Sequence, residues 1–320
     1  ERDSLAFVEI EGLSKRYGSF GITEISLSVE RGTTMTLMGP SGSGKTSLLR
    51  NIAGFDLPDA GHIYIGGREV THEPAGRRGV GMVFQELALF PKMTVYDNIA
   101  YGLRARRITE AEIKLEVKSL AESLKIGELL GRYPFEISSG ERQRAAIARS
   151  AIVSPDLLLL DEPFSSVDSQ LRIALRSELK SFARKNALTM IFVTHDHHEG
   201  LFMADSVSII FDGAAVRSGT PEDVFIHPKS PRIARFLGYN VIEYHGKKVA
   251  VHPRDISIGR DGELSVRILS SGFEGEFTRF VAETERGENI TILVDGLTET
   301  SAEGTEQRIA IERFEELEDE

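Results

Sequence analysis

Cysteine is absent from this chain of 320 residues. Disulfide staples and thiolate metal sites are therefore excluded, and the composition fits a reducing compartment. Long apolar runs are absent as well. The longest, such as Leu157 to Leu160, fall far short of the roughly 20 residues that a membrane-spanning helix needs. No stretch near Glu1 has the charged-then-apolar pattern of a secretion signal. Any membrane role is expected to come through docking onto another subunit. Basic charge is scarce towards the end. From Asn240 to Glu320 there are 9 Lys and Arg against 19 Asp and Glu, a net of −10 out of −11 for the whole chain. That tail opposes binding to a nucleic-acid backbone, which needs a basic face. Its plainest reading is a solvated acidic surface.

What is present is enough apolar material, 41%, for a large core, and the length favours more than one domain. The first part alternates short apolar strands with helical patterns, as α/β domains do. Thr34 to Met38 and Gly79 to Phe84 read as strands, and Lys45 to Ile52 as a helix. Thr109 with Glu112 forms a capping box. Ile113, Val117, Leu120 and Leu124 mark one helical face, and Leu171, Leu175, Leu179 and Phe182 another. Leu157 to Leu160 and Met190 to Val193 are unbroken apolar runs, the pattern of parallel strands buried on both faces. Pro228 and Pro231 punctuate a boundary region before Asn240. Short β-like runs follow: Lys248 to His252, Leu264 to Ser270, Phe277 to Ala282 and Ile290 to Val294. They predict a small barrel or sandwich.

The run Gly39, Pro40, Ser41, Gly42, Ser43, Gly44, Lys45, Thr46 fits the phosphate-loop pattern, with Ser47 just behind it. A strand precedes it and a helix follows, as the motif requires. Glycines let backbone N–H groups wrap phosphate oxygens, and the helix N-terminus adds a favourable dipole. Lys45 is the candidate for the β- and γ-phosphates, and the Thr46 hydroxyl for Mg²⁺. The expected ligand is a nucleotide with Mg²⁺. A flexible Gly/Ser loop is the bland alternative, and the strand–loop–helix context weighs against it.

The strand Leu157 to Leu160 delivers Asp161 and Glu162 at its C-terminal end, where open α/β sheets place ligands. Asp161 is the candidate metal holder. Glu162 is placed to orient and deprotonate the attacking water. In isolation the pair would read as an acidic cap after a strand.

A phosphate loop alone does not name the machine. The segment Ile137-Ser138-Ser139-Gly140-Glu141-Arg142-Gln143-Arg144 resembles the ABC signature, Leu-Ser-Gly-Gly-Gln. In the family's order, Tyr17 matches the adenine-stacking aromatic and Gln85 the Q-loop glutamine, a further metal contact. Ser165 to Asp168 match the D-loop and His195 the switch histidine. Each is weak alone, since a lone Gln or His is usually structural. The resemblance spans nearly all of residues 5 to 240. It implies a RecA-like P-loop core with antiparallel β and helical subdomains, the latter at about 87–155. It implies too that ATP is sandwiched in a head-to-tail dimer. Ser138 and the Gly140 N–H of one copy would close over the other's γ-phosphate, Asp168 would reach across, and Lys45, Gln85, Glu162 and His195 would serve catalysis. Ser139 and Glu141 depart from the family's glycine and glutamine, which puts the rate or affinity of the composite site in doubt.

Segment Glu86 to Gly102 resembles the stretch by which transporter subunits receive a coupling helix, with Phe90 to Met93 as the exposed candidate. Val251 to Ile256 resembles the motif of the TOBE domain, a small OB-like β unit of importer ATPases. His252 and Arg254 stand where that motif usually has Arg and Glu. The expectation is therefore an ABC ATPase domain over 1–239 and a TOBE-like β domain over 240–320. The chain would drive a transmembrane permease from the cytoplasmic face of the cell membrane, served indirectly by an extracytoplasmic solute-binding protein. The length of the tail leans towards an inorganic ion (ferric iron or an oxyanion) or a polyamine rather than a sugar. The rivals are a soluble repair- or translation-type ABC ATPase and a nucleotide-regulated nucleic-acid binder. The first usually inserts coiled coils, zinc modules or a second cassette, and the acidic tail opposes the second.

Overall fold

The computed structural model describes residues 6–259, 262–297 and 303–318. It divides into two compact units, residues 1–221 and 222–320. The outermost ends of the two expected domains, residues 1–5 and 319–320, lie outside the described residues.

The first unit opens with an antiparallel hairpin, β1 (Ala6–Tyr17) and β2 (Phe20–Glu30). Strand β3 (Thr34–Met38) runs into helix α1 (Lys45–Ala53). Strands β4 (Ala60–Ile65) and β5 (Arg68–Glu69) return to the hairpin, giving a four-stranded sheet in the order β2-β1-β4-β5. After β6 (Val80–Val83) come three helices that pack on one another: α2 (Val95–Ala105), α3 (Glu110–Ser123) and α4 (Ser139–Ala151). Then β7 (Leu157–Asp161), α5 (Ser169–Lys185), β8 (Met190–Thr194), α6 (His197–Met203), β9 (Ser206–Phe211) and β10 (Ala214–Gly219) follow.

The main sheet has the order β10-β9-β3-β8-β7-β6 and is parallel except at β10. All residues of β3, β7 and β8 are buried. The reason lies in the pleat, which sends successive side chains to opposite faces. Leu158, Leu160, Met190 and Phe192 enter the core shared with the helices. Leu157, Leu159, Ile191 and Val193 enter the core shared with α1 and the hairpin sheet. Two cores on one sheet make most positions apolar, Thr34, Thr36, Asp161 and Thr194 being the buried polar exceptions in these strands. The capping box at Thr109 and Glu112 starts α3, and Ile113 and Val117 face inward as their spacing requires.

One buried charge holds this unit together. Arg78 is fully buried and donates to the carbonyls of Asn51 (2.7 Å), Ile52 (3.0 Å), Thr71 (2.8 Å) and Glu73 (2.8 Å). It thereby satisfies the last carbonyls of α1, which helix geometry leaves without partners.

The second unit begins along α7 (Pro221–Ile226) and α8 (Pro231–Phe236) and is otherwise β. Its strands are β11 (Asn240–Tyr244), β12 (Lys247–Val251), β13 (Ile256–Ile258), β14 (Leu264–Phe273), β15 (Phe277–Thr284), β16 (Asn289–Asp295), β17 (Glu306–Ile311) and β18 (Glu315–Glu316). They form a three-stranded sheet, β11-β12-β18, and a five-stranded one, β13-β17-β14-β15-β16. Alternate residues such as Val266, Ile268, Phe280, Ala282, Ile290 and Ile292 fill a core of their own. The two short helices thus belong with the second unit by packing, while its strands begin at Asn240.

Candidate functional site

The phosphate loop joins β3 to α1. Gly39 has φ 153° and Gly44, the residue before the first helical turn, has φ 104°. A Cβ at Gly39 would collide with the Ile210 carbonyl oxygen, and one at Gly44 would lie 2.8 Å from Ile22 Cγ2. Both positions need glycine on backbone and steric grounds. Pro40, Ser41 and Gly42 are exposed at the tip, whereas Ser43 and Lys45 are buried. Thr46 and Ser47 lie in the first turn of α1 and keep partial exposure.

The Lys45 ammonium curls back over its own loop. It donates to the carbonyls of Gly39 (2.9 Å) and Pro40 (2.8 Å) and lies 3.3 Å from Ser43 Oγ. Burial lowers its pKa, while the charges of Glu162 and Asp161 oppose that shift. Across the sheet, the Thr46 hydroxyl donates to Asp161 Oδ1 at 3.0 Å. Burial raises the Asp161 carboxyl above the usual range, with the neighbouring Glu162 charge adding to it. Two hard oxygen donors side by side suit a small divalent cation.

Glu162 follows β7 with φ 43°, a left-handed conformation uncommon for a side-chain-bearing residue. Its N–H donates to the Val193 carbonyl (3.1 Å), and its carboxylate lies 3.0 Å from His195 Nδ1. The backbone around His195 is held by its neighbours. The Asp196 N–H donates to Thr194 Oγ1 (3.1 Å), and the Glu199 N–H to Asp196 Oδ1 (3.1 Å). Thr194 also hydrogen-bonds the buried Glu199 carboxyl, whose pKa burial raises. Arg172 bonds the Val167 carbonyl (2.9 Å) and reaches towards Asp196, which ties the segment before Asp168 to the one after His195.

Tyr17, Asp168, Ser138 and Gly140 make their contacts with other groups. Tyr17 ends β1 with its hydroxyl fixed, donating to Asp56 (2.9 Å) and accepting from Asn51 (3.1 Å). Burial and Asp56 push its pKa up to about 12. Gln85 is exposed just beyond β6. Asp168 caps α5, accepting from the Leu171 N–H (3.0 Å). Ser138 caps α4. Its N–H and hydroxyl both go to Glu141 Oε2, at 2.7 and 2.9 Å. Gly140 is buried, and a Cβ there would lie 2.6 Å from Leu171 Cδ2, so the glycine lets α4 pack against α5. Lys45, Thr46, Asp161, Glu162 and His195 are thus brought together, while the hydrogen bonds of Ser138 stay within the start of its own helix.

Reading by motif missed several groups. Phe20, half-exposed, sits 3.4 Å from where a Gly44 Cβ would be. Asn51 and Asp56 anchor Tyr17, and only their approach in space reveals it. Between 87 and 93 the chain is held by Asn98, which bonds the Phe90 N–H (2.8 Å) and carbonyl (3.1 Å). Arg149 bonds the Ala88 carbonyl (2.6 Å) and lies over the Phe90 ring. Val95 and Ile99 are core, whereas Phe90 is exposed against Tyr101, ring centroids 4.9 Å apart.

Strand-end carboxylates facing a lysine-bearing glycine loop on a parallel sheet are the arrangement of a phosphate-loop nucleoside-triphosphatase. A family model described as ABC transporter matches residues 22–165. The molybdate/tungstate import ATP-binding protein WtpC of Pyrococcus horikoshii is 41% identical, over 92% of this chain and 82% of its own. The Fe(3+) ions import ATP-binding protein FbpC of Rhizobium etli is 38% identical, covering 88% of each. Among solved structures, cbiO1 of Clostridium perfringens, part of the ABC transporter complex cbiONQ, superposes with a TM-score of 0.65. It shares 25% identity and covers 72% of this chain and 94% of its own. The chain therefore belongs to the ABC transporter family, among its import ATP-binding proteins, and is an ATPase. Among the described residues, no helix is long and apolar enough to cross a membrane.

Proposed function

We propose that this chain is the motor subunit of an ABC importer, working as a head-to-tail pair that encloses two ATP molecules with Mg²⁺. One observation carries this reading. Lys45, Thr46, Asp161, Glu162 and His195 converge at one end of the sheet, whereas Ser138 and its helix start point their hydrogen bonds inward to Glu141. The site of a single copy lacks its cover, and a second copy supplies it.

In this reading the backbone of Gly39 to Thr46, with Ser47, binds the phosphates, and Lys45 leaves its loop carbonyls for them. Thr46, Asp161 and Gln85 would hold Mg²⁺, which offsets phosphate charge. Glu162 takes the proton of the attacking water and His195 fixes the Glu162 carboxylate. Tyr17 stacks on the base, and Asp168 and Ser138 reach the partner copy. Loss of the γ-phosphate then releases the pair.

The importer assignment rests on relatives whose names state import. It brings a permease docked near Phe90 and the helices at 87–155, a binding protein outside, and a place on the cytoplasmic face of the membrane. The solute is an oxyanion, ferric iron or a polyamine in this reading, and the all-β second unit is a TOBE-like regulatory domain. The test is the concentration dependence of hydrolysis. Specific activity should climb as copies pair. A strictly monomeric preparation with full activity would overturn the composite site.

A further inference from the structure

Three hydrogen bonds close the chain around His195 and leave its ring outside them. The Thr194 hydroxyl donates to Glu199 Oε2. The Asp196 N–H donates to Thr194 Oγ1 (3.1 Å), and the Glu199 N–H to Asp196 Oδ1 (3.1 Å). Thr194 and Glu199 are buried, at 2% and 4% exposed, whereas the His195 side chain is 53% exposed. A carboxyl at this depth is costly, because its other oxygen, Oε1, has no hydrogen-bond partner among the described residues. A buried group that is left half satisfied calls for a reason. Starting α6 does not supply one, since Asp196 already caps that helix. What the Glu199 carboxyl does hold is Thr194, the residue just before His195.

We propose that Glu199 is a positioning residue for His195: its carboxyl fixes Thr194, and with it the direction in which His195 leaves β8. This rests on the reading of His195 as the partner of Glu162 in hydrolysis. Thr194 pairs with Met38 of β3, and Val193 beside it with Asp161 of β7. A Thr194 held from both sides sets His195 Nδ1 at 3.0 Å from the Glu162 carboxylate. A half-exposed imidazole has little packing of its own, so the tie has to be made at the neighbouring residues. Remove the acceptor, and the Thr194 hydroxyl is free to rotate. The lone pair it turns towards the Asp196 N–H goes with it, and the loop that carries the ring loosens. A shift of about 1 Å in a catalytic group costs on the order of 10²-fold in rate. The loss falls on kcat, because His195 acts on the hydrolytic step and the phosphate loop is untouched.

Steady-state phosphate release by the full chain in MgATP provides the test. Glu199→Ala should lower kcat about 10- to 100-fold and leave the KM for ATP unchanged. Glu199→Gln keeps an oxygen for the Thr194 hydroxyl and should restore most of the rate. Thr194→Val, which removes the hydroxyl at constant shape, should match Glu199→Ala, and the two together should be no worse than either. In a chain already carrying His195→Ala, adding Glu199→Ala should leave the residual rate where it was. A merely structural role would lower it further. Should Glu199→Ala not fold, Glu199→Met takes its place, with bulk kept and the acceptor lost. Wild-type kcat in Glu199→Ala, no rescue by glutamine, or a further fall in the His195→Ala chain would each overturn the proposal and leave the role of His195 standing. If His195→Ala itself turns over at the full rate, that role falls first, and this proposal with it.

Discussion

The Glu162 carboxylate sits 3.0 Å from His195 Nδ1, each residue at the C-terminal end of a neighbouring parallel strand. Strands β7 and β8 pair Asp161 with Val193, so the residues just beyond them emerge side by side.

That contact makes Glu162→Gln informative. The amide keeps the size and one hydrogen bond but cannot accept a proton. Phosphate release should fall by about 10²-fold or more, while ATP still binds and traps a dimer. Steady-state phosphate release together with gel filtration in MgATP checks both halves. Normal turnover would remove Glu162 as the base.

Lys45→Ala should act at an earlier step. A buried ammonium that can turn from the Gly39 and Pro40 carbonyls to phosphate is worth roughly 1.5–3 kcal/mol as a charged hydrogen-bond donor. Nucleotide affinity should drop about 10- to 100-fold. Calorimetric titration of MgATP decides it, and wild-type affinity would refute the phosphate-loop reading.

Tyr17→Ala should separate base from phosphate. ATP affinity should fall about tenfold through lost stacking, whereas inorganic tripolyphosphate should bind as before. Tyr17→Phe should keep most of the affinity, since the hydroxyl is spent on Asp56 and Asn51. ATP affinity unchanged in Tyr17→Ala would remove the stacking role.

Glu141 offers a test with a pH signature. The N–H and hydroxyl of Ser138 hold its carboxyl below the usual range, so it is ionised at neutral pH. A folded pKa below the unfolded one means its capping stabilisation is present above the ordinary glutamate range and lost as pH falls through the depressed value. Glutamine also completes a capping box but brings no negative charge near a partner's γ-phosphate. Glu141→Gln should therefore lower the KM for ATP several-fold at neutral pH. Its thermal stability should lose only the share of the acid-side dependence that Glu141 contributes, since other carboxyls such as Asp97 and Glu178 are also held below their usual range. A KM that rises would contradict the repulsion.

Arg78→Met should test the fold rather than the chemistry. Four carbonyls would lose the guanidinium, at about 1–3 kcal/mol for each group left unpaired, although the Asn51 carbonyl keeps the Gly54 N–H. A loss of about 3 kcal/mol or more in urea denaturation is expected, with any activity change following from unfolding. A variant as stable as wild type would show that water replaces the guanidinium.

By itself the sequence determined what short-range chemistry controls. The glycine-rich loop between a strand and a helix, the capping box at Thr109 and Glu112, and the inward face at Ile113 and Val117 are local patterns. The apolar runs at 157–160 and 190–193 were legible for the same reason, because two-sided burial leaves no polar position. Strands β11 and β17 were not among the runs read. β17 runs through three polar residues and then three apolar ones, with a single fully buried side chain, Ile309, and so carries little periodic signal. Tertiary structure alone decided which distant groups meet. The approach of His195 to Glu162 depends on strand order, and the burial of Arg78 depends on where α1 ends in space. The packing need for Gly140 depends on Leu171 from another helix. These follow from the pairing of elements far apart in the chain, which no local periodicity encodes.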